Sequence, residues 1–331
     1  MSIKFMQLSI NRVLASLAIS PIASESFRDA ARVARRGCVA AGLVLAAAAA
    51  VAAPVTTHTS DFTGFAAGTV NGQGGWGVSN AAFDQEVVNI GGANGNVLRL
   101  SNKVTAGSFG DMPFAPRPGG TTMTAANPTN SAPQFFAGET STGAAYNRYI
   151  GSFDFRSVVT AAASDIGARI TISPDNGQGG RQGFIALENT AAGVSVSTFD
   201  INAGGGFVGP ATLATVAGGG WNTLRYEIDF FDGAFNDVAN IFLNNTLVST
   251  INSWESFYAV NQPAQHPNGV PVQTWLFRLS GTAAPNAQGF YIDNVSVQLD
   301  NRAQVPEPGT SLLVGLALAG MFVARRRQSR A

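Results

Sequence analysis

The sequence predicts an all-β body, a two-sheet jelly-roll sandwich, flanked by an N-terminal signal peptide and a C-terminal hydrophobic helix. Three observations carry the prediction. Short stretches of alternating apolar and polar residues recur with glycine between them, and no long apolar pattern of helical period interrupts them. Turn pairs that tolerate positive φ punctuate the chain: Asn71-Gly72, Asn176-Gly177, Asn244-Asn245 and Asn268-Gly269. A dozen or so strands without intervening helices leave a sandwich or a barrel, and the lack of a fixed repeat argues against a propeller or β-helix.

In chain order, Arg32, Arg35 and Arg36 precede an alanine-rich apolar run from Cys38 to Ala53, which ends on the small residues Ala50-Val51-Ala52. This reads as a secretory signal peptide over residues 1–52, with either an extended n-region or a start placed too early. Arg35-Arg36 raises the twin-arginine route, but Gly37-Cys38 departs from its pattern, and no lipobox precedes Cys38. Cys38 is the one cysteine and leaves with the leader, so the body, residues 53–304, has no disulfide and no cysteine metal site. His58 and His266 are the two histidines, far apart and each expected in a loop. They are too little material for a Ser-His-Asp triad or a histidine zinc site.

The body carries 10 Lys+Arg against 17 Asp+Glu, although the whole chain is neutral. An acidic body argues against nucleic acid or an anionic membrane as ligand. Its predicted strands are Phe83–Ile90, Val97–Ser101, Tyr149–Val159, Ala168–Ser173, Gly183–Glu188, Val194–Asp200, Thr223–Phe231, Asn240–Leu243, Leu247–Ile251, Thr274–Leu279 and Gly289–Leu299. Asn244-Asn245 reads as a tight hairpin turn. The apolar phase slips at Asp293-Asn294, which predicts a bulge in the last strand. Ser108–Tyr146, with five prolines, reads as a long excursion over one face.

The tail begins with Val305-Pro306-Glu307-Pro308-Gly309. It continues through 17 uncharged residues from Pro308 to Ala324 and ends on Arg325-Arg326-Arg327. As a helix the run spans roughly 26 Å, at the short limit for a ~30 Å bilayer core. The arginines should stay cytoplasmic, which places the body on the far side. This order of features over residues 305–331 resembles the PEP-CTERM sorting signal. The resemblance implies recognition of Pro306, Glu307, Pro308, Arg325, Arg326 and Arg327 by an exosortase-type processing protease. It also implies transient anchoring in the inner membrane, then delivery to the cell surface or an extracellular polysaccharide matrix.

Short passages of the body resemble an exported bacterial family of concanavalin A/laminin-G-like sandwiches. They are Asp61–Phe65, Asn71–Trp76, Val97–Asn102, Gly107–Asp111, Trp221–Asp232, Asn236–Val238, Ser253–Tyr258 and Phe290–Val295. The resemblance speaks to fold more than to activity, because this sandwich hosts lectins, hydrolases and adhesion modules alike.

Three constellations bear on chemistry. Glu227-Ile228-Asp229-Phe230-Phe231-Asp232 is similar to the carboxylate strand of laminarinase-type hydrolases, in which the two working carboxyls lie ~5 Å apart. Here the acid/base position falls on Phe231 or on the shorter Asp232. Alternation offers a plainer reading, with Leu224, Tyr226, Ile228 and Phe230 facing the core and Arg225, Glu227 and Asp229 facing solvent. Second, Asp293 and Asp61 suit a structural calcium of the kind that carbohydrate-binding sandwiches hold, as does the loop with Asp232, Asn236 and Asp237. An aspartate that simply caps the bulge is the plainer reading of Asp293, and a plain turn is the plainer reading of the loop with Asp232, Asn236 and Asp237. Third, Trp76 and the Trp254–Tyr258 segment look exposed and could stack on sugars, whereas Trp221 and Trp275 look like core. Gly72–Gly75 lacks the Lys-Ser/Thr and helix of a phosphate loop.

The expected function is that of a noncatalytic exported surface or matrix protein, with possible glycan contact through Trp76, Trp254 and Tyr258. The alternative is a secreted polysaccharide hydrolase using Glu227 and Asp232, tuned by Asp229.

Overall fold

The computed structural model describes residues 56–78, 82–105, 113–118, 136–267, 269–279 and 282–302, and there the alternating stretches pair into two antiparallel sheets. In chain order the strands are β1 (Thr56–Ser60), β2 (Gly68–Thr69), β3 (Gly77–Val78), β4 (Gln85–Gly91), β5 (Gly95–Leu100) and β6 (Pro113–Phe114). There follow β7 (Arg148–Ser157), β8 (Arg169–Asp175), β9 (Ile185–Thr190), β10 (Gly193–Ile201), β11 (Phe207–Val216) and β12 (Asn222–Asp229). The series closes with β13 (Val238–Leu243), β14 (Thr246–Asn252), the helix α1 (Glu255–Asn261), β15 (Thr274–Arg278) and β16 (Phe290–Asp300). One sheet runs β14-β13-β12-β7-β16-β5-β4-β2, with β1 also paired to β16; the other runs β11-β10-β9-β8-β15-β6-β3. Together they form a unit spanning Ala52–Ala303. The architecture is the all-β sandwich that the sequence predicts.

The core follows from period-two alternation. In β7 every second residue is buried, which turns Tyr149, Phe153 and Phe155 inward. The facing sheet answers with Ile170, Ile172, Ile185, Leu187, Trp275 and Phe277. Each such side chain contributes roughly 1.5–3 kcal/mol on burial. Trp275 lies at the centre, edge-on to Phe153 (5.5 Å), Tyr149 (5.8 Å) and Tyr226 (6.2 Å). Gly151 makes room for it, since a Cβ there would stand 2.4 Å from the indole.

The eleven predicted strands are β4, β5, β7 to β10 and β12 to β16. Asn244 and Asn245 take φ of 50° and 65° and turn β13 into β14. The register of β16 against β7 shifts between Asp293 and Ser296, with Asn294 at φ 49°, as the slipped phase requires.

Some expectations are corrected. His58 lies in β1 against Val297 rather than in a loop. Trp221 is half-buried beneath the Arg156 guanidinium, 5.1 Å from its ring, rather than in the core. The proline-rich excursion supplies β6, which pairs with both β15 and β3. Strand β11 escapes prediction because it pairs only with β10, exposes most of its residues and contains Pro210, which an edge strand tolerates. Helix α1 is too short for helical periodicity to register. Among the described residues no helix is long and apolar enough to cross a membrane. The leader (1–52), Gly107–Gly110, Asp111 and the tail (305–331) with its sorting residues lie outside the described residues.

Candidate functional site

Three segments at one end of the second sheet supply the aromatic wall of an open cavity of about 760 Å³. The β10–β11 hairpin brings Phe199 and Phe207, the loop after β8 brings Phe184, and α1 with its preceding residue brings Trp254, Phe257 and Tyr258. Trp254 packs edge-on to Phe207 at 4.8 Å and lies nearly parallel to Phe184 at 6.3 Å. Tyr258 meets His266 edge-on at 5.6 Å. Planar polar groups complete the lining: Asn176, Gln178, Arg181, His266 and Arg278.

Hydrogen bonds fix these walls. Asp175, at the end of β8, is fully buried, and its Oδ1 accepts the N–H groups of Gly177 (2.6 Å), Gln178 (3.1 Å) and Gly179 (3.0 Å). The loop is thereby wound over the cavity. The Arg181 N–H donates to Tyr258 Oη at 2.9 Å, which couples that loop to α1. Asn261 Nδ2 donates to Gly205 O at 3.1 Å, which couples α1 to the β10–β11 turn. Gly205, at φ 73°, has Asn261 and Val260 only 2.8 Å from where a Cβ would stand. Trp254 is 8% exposed and Tyr258 6%, so the fold buries two rings that the sequence suggests are exposed, and among the described residues the buried Trp254 indole N–H has no acceptor. A wall of aromatic faces beside amides and guanidinia suits a ligand with both apolar faces and hydroxyls.

Burial pushes the Asp175 carboxyl up to about 6, against the pull of Arg181 and of the three N–H donors. The folded state therefore holds its proton more tightly than the unfolded chain does, so stability falls as pH rises from about 4 to about 6. Asp175→Asn keeps an oxygen for the three donors and removes the ionisation. The stability difference between the parent and this variant should shift against the parent by up to roughly 3 kcal/mol across that interval. Urea unfolding at pH 3.5 and pH 7 checks this; a pH-independent difference would contradict it.

The other predicted residues lie elsewhere. Trp76, expected at the surface, is fully buried between Phe62 and Phe277, and its indole N–H donates to Ser60 Oγ at 3.0 Å. Its glycine-rich neighbours wrap the ring rather than display it. Glu227 lies on the outer face of its sheet, as alternation requires, yet it is 5% exposed because arginines cover it. Arg148 bonds its Oε2 at 2.5 Å and Arg225 bonds its Oε1. Asp229 lies 3.4 Å from Arg148 and 3.9 Å from Arg302; burial still raises its carboxyl, aided by Glu227 and opposed by the arginines. Asp232 sits in the exposed turn beyond and accepts the Thr140 N–H at 2.8 Å. None of the three lines the aromatic cavity.

Asp293 caps the bulge, its Oδ1 accepting the Asn294 N–H at 2.8 Å, while its Oδ2 accepts Asn94 Nδ2 at 3.2 Å. Burial raises its carboxyl, and the charges of Asp154 and Asp61 push the same way. Asp61 accepts the Thr63 N–H at 3.1 Å. Among the described residues, Glu139, Asp237 and Glu255 each bring a carboxylate oxygen within 4.8 Å of the others. Sequence reading had reached only Asp237 of these, since the three come from segments far apart in the chain.

Fold and tail first define a class: a two-sheet jelly-roll sandwich on a chain with an export signal. Residues 304–327 match the PEP-CTERM protein-sorting motif, the recognition signal for exosortase processing, so this is an exported protein sorted through its tail. No curated protein matches the chain. Similar solved structures include the galectin LEC-6 of Caenorhabditis elegans, with 13% identity and a TM-score of 0.27 over 46% of this chain and 83% of the galectin. Domain 4 of the extracellular arabinanase AbnA of Geobacillus stearothermophilus, solved with arabinotriose, shows 9% identity and a TM-score of 0.32 over 74% and 82%. An alginate lyase of Pseudomonas aeruginosa shows 10% identity and a TM-score of 0.37 over 63% and 84%. Likeness at this level carries no argument about what the cavity binds.

Proposed function

We propose that this exported sandwich is a noncatalytic glycan-binding protein of the cell surface or polysaccharide matrix, and that the aromatic cavity is its sugar site. The observation that carries the reading is the aromatic wall of Trp254, Phe184, Phe199, Phe207 and Phe257 about the cavity, with Asn176, Gln178 and Arg181 beside it. A pyranose offers groups that match this wall, with C–H faces for the rings and hydroxyls for the amides and guanidinia. The tail supports delivery to where such polysaccharides lie, by way of a transient inner-membrane stage and exosortase-type processing. A hydrolase built on Glu227 and Asp232 is the alternative. The arginines that occupy both oxygens of Glu227 weigh against it.

A glycan array probed with the full-length chain in detergent tests the reading. Selective binding of a few related oligosaccharides, released unchanged, is the expected result. Uniform absence of binding would overturn it, and cleavage of the bound sugar would favour the alternative.

A further inference from the structure

Glu139 precedes the 3-10 turn Thr140–Thr142, Asp237 closes the loop before β13, and Glu255 opens α1. One carboxylate oxygen from each lies within 4.8 Å of the others, and the three residues are 2%, 2% and 1% exposed. Two oxygens bound to one calcium at ~2.4 Å stand at most about 4.8 Å apart, so this convergence suits a shared ion.

Local hydrogen bonding accounts for part of the set. Glu255 accepts the N–H groups of Phe235 (2.9 Å) and Asn236 (3.2 Å). Asp237 accepts the Phe231 N–H (2.8 Å) and the Ser253 hydroxyl (3.3 Å). Glu139 Oε2 accepts the Gly233 N–H (3.0 Å) and the Ser141 hydroxyl (3.2 Å). Glu139 Oε1, by contrast, is buried and has no donor among the described residues, on a residue that brings a carboxylate oxygen within 4.8 Å of the other two. A buried carboxylate oxygen without a donor is costly, and here its carboxyl group lies near two more carboxylates. Asp232 adds a further negative charge close to Glu139. The ion pairs of Arg99, Arg148, Arg169, Arg225 and Arg302 go to other carboxylates.

We propose that Glu139, Asp237 and Glu255 form a calcium site that ties the Glu139 turn and the loop before β13 to the start of α1. The donors are all hard oxygens, with no histidine or thiolate among them, which favours calcium over zinc. The site needs no sugar, so its test is read on stability and is independent of the glycan reading.

The full-length chain, stripped with EDTA, is titrated with calcium chloride by calorimetry and then melted with and without calcium. One ion should bind per chain, and a hundredfold excess over Kd should raise Tm by about 5–10 °C. Glu139→Gln keeps an oxygen for Gly233 and Ser141 while removing one repelling charge. It should raise the metal-free Tm and abolish the calcium response. Glu255→Gln serves as a second variant and should weaken calcium binding at least about tenfold through the loss of one charged ligand. Asp293→Asn should leave the response intact. Absence of calcium binding, a response that survives Glu139→Gln, or one lost only in Asp293→Asn would each overturn the proposal.

Discussion

Replacing Trp275 with alanine is expected to remove about 3–5 kcal/mol of unfolding free energy, the range for deleting a large buried aromatic. The indole is fully buried and meets three rings edge-on, and its N–H donates to Ser296 O on the opposite sheet at 3.1 Å. Truncation loses apolar burial and ring contacts, and it leaves a hole that the two sheets cannot close without parting from their hydrogen-bonded neighbours. Domains are stable by only about 5–15 kcal/mol, so a loss of this size should be plain in urea unfolding. A loss below about 1 kcal/mol would mean that the sheets repack and that Trp275 is not the centre of the core.

The second large effect concerns the cavity. Trp254→Ala should weaken sugar binding at least about 30-fold, as truncation of an aromatic anchor in a desolvated site does. Trp254 belongs to a satellite cluster with Ile201, Tyr258 and Val270 rather than to the main core. The variant should therefore fold, with circular dichroism as the check. Phe207→Ala gives an independent reading, because Phe207 is 49% exposed and stands 4.8 Å from Trp254. Trp221→Ala, which alters an aromatic on the other sheet, should leave affinity within about twofold. Equal losses in the Trp221 and Trp254 variants would place the sugar somewhere else.

Most of the strand framework was legible because alternation reports which face is buried, residue by residue. β7 and β12 show this, as does the phase slip in β16 that locates its bulge. Where alternation fails, so does legibility. β11 is an edge strand with little to bury, and α1 is shorter than two helical turns. The site was legible only in part. Trp254 and Tyr258 stand out in the sequence as an aromatic segment but read as exposed, whereas the fold buries both, and Phe184, Phe199 and Phe207 become their neighbours only through tertiary structure. Trp76 shows the opposite error. Glycine-rich flanks describe backbone freedom, and here that freedom lets Gln73 bond Ala66 and Thr69 while the ring turns inward. Glu227 teaches a related lesson, since an outward-facing carboxylate is still buried when long arginine side chains lie over it.

Nuclear magnetic resonance of the indole N–H groups tests the central claim most directly. The chain has four tryptophans, hence four such resonances, which single substitutions assign. On titration with the oligosaccharide that binds best, the Trp254 resonance should move as the sugar packs against its ring. Those of Trp76 and Trp275, already donating to Ser60 and Ser296, should stay in place. Saturable binding with the Trp254 resonance unmoved, or with only that of Trp221 displaced, would contradict the account.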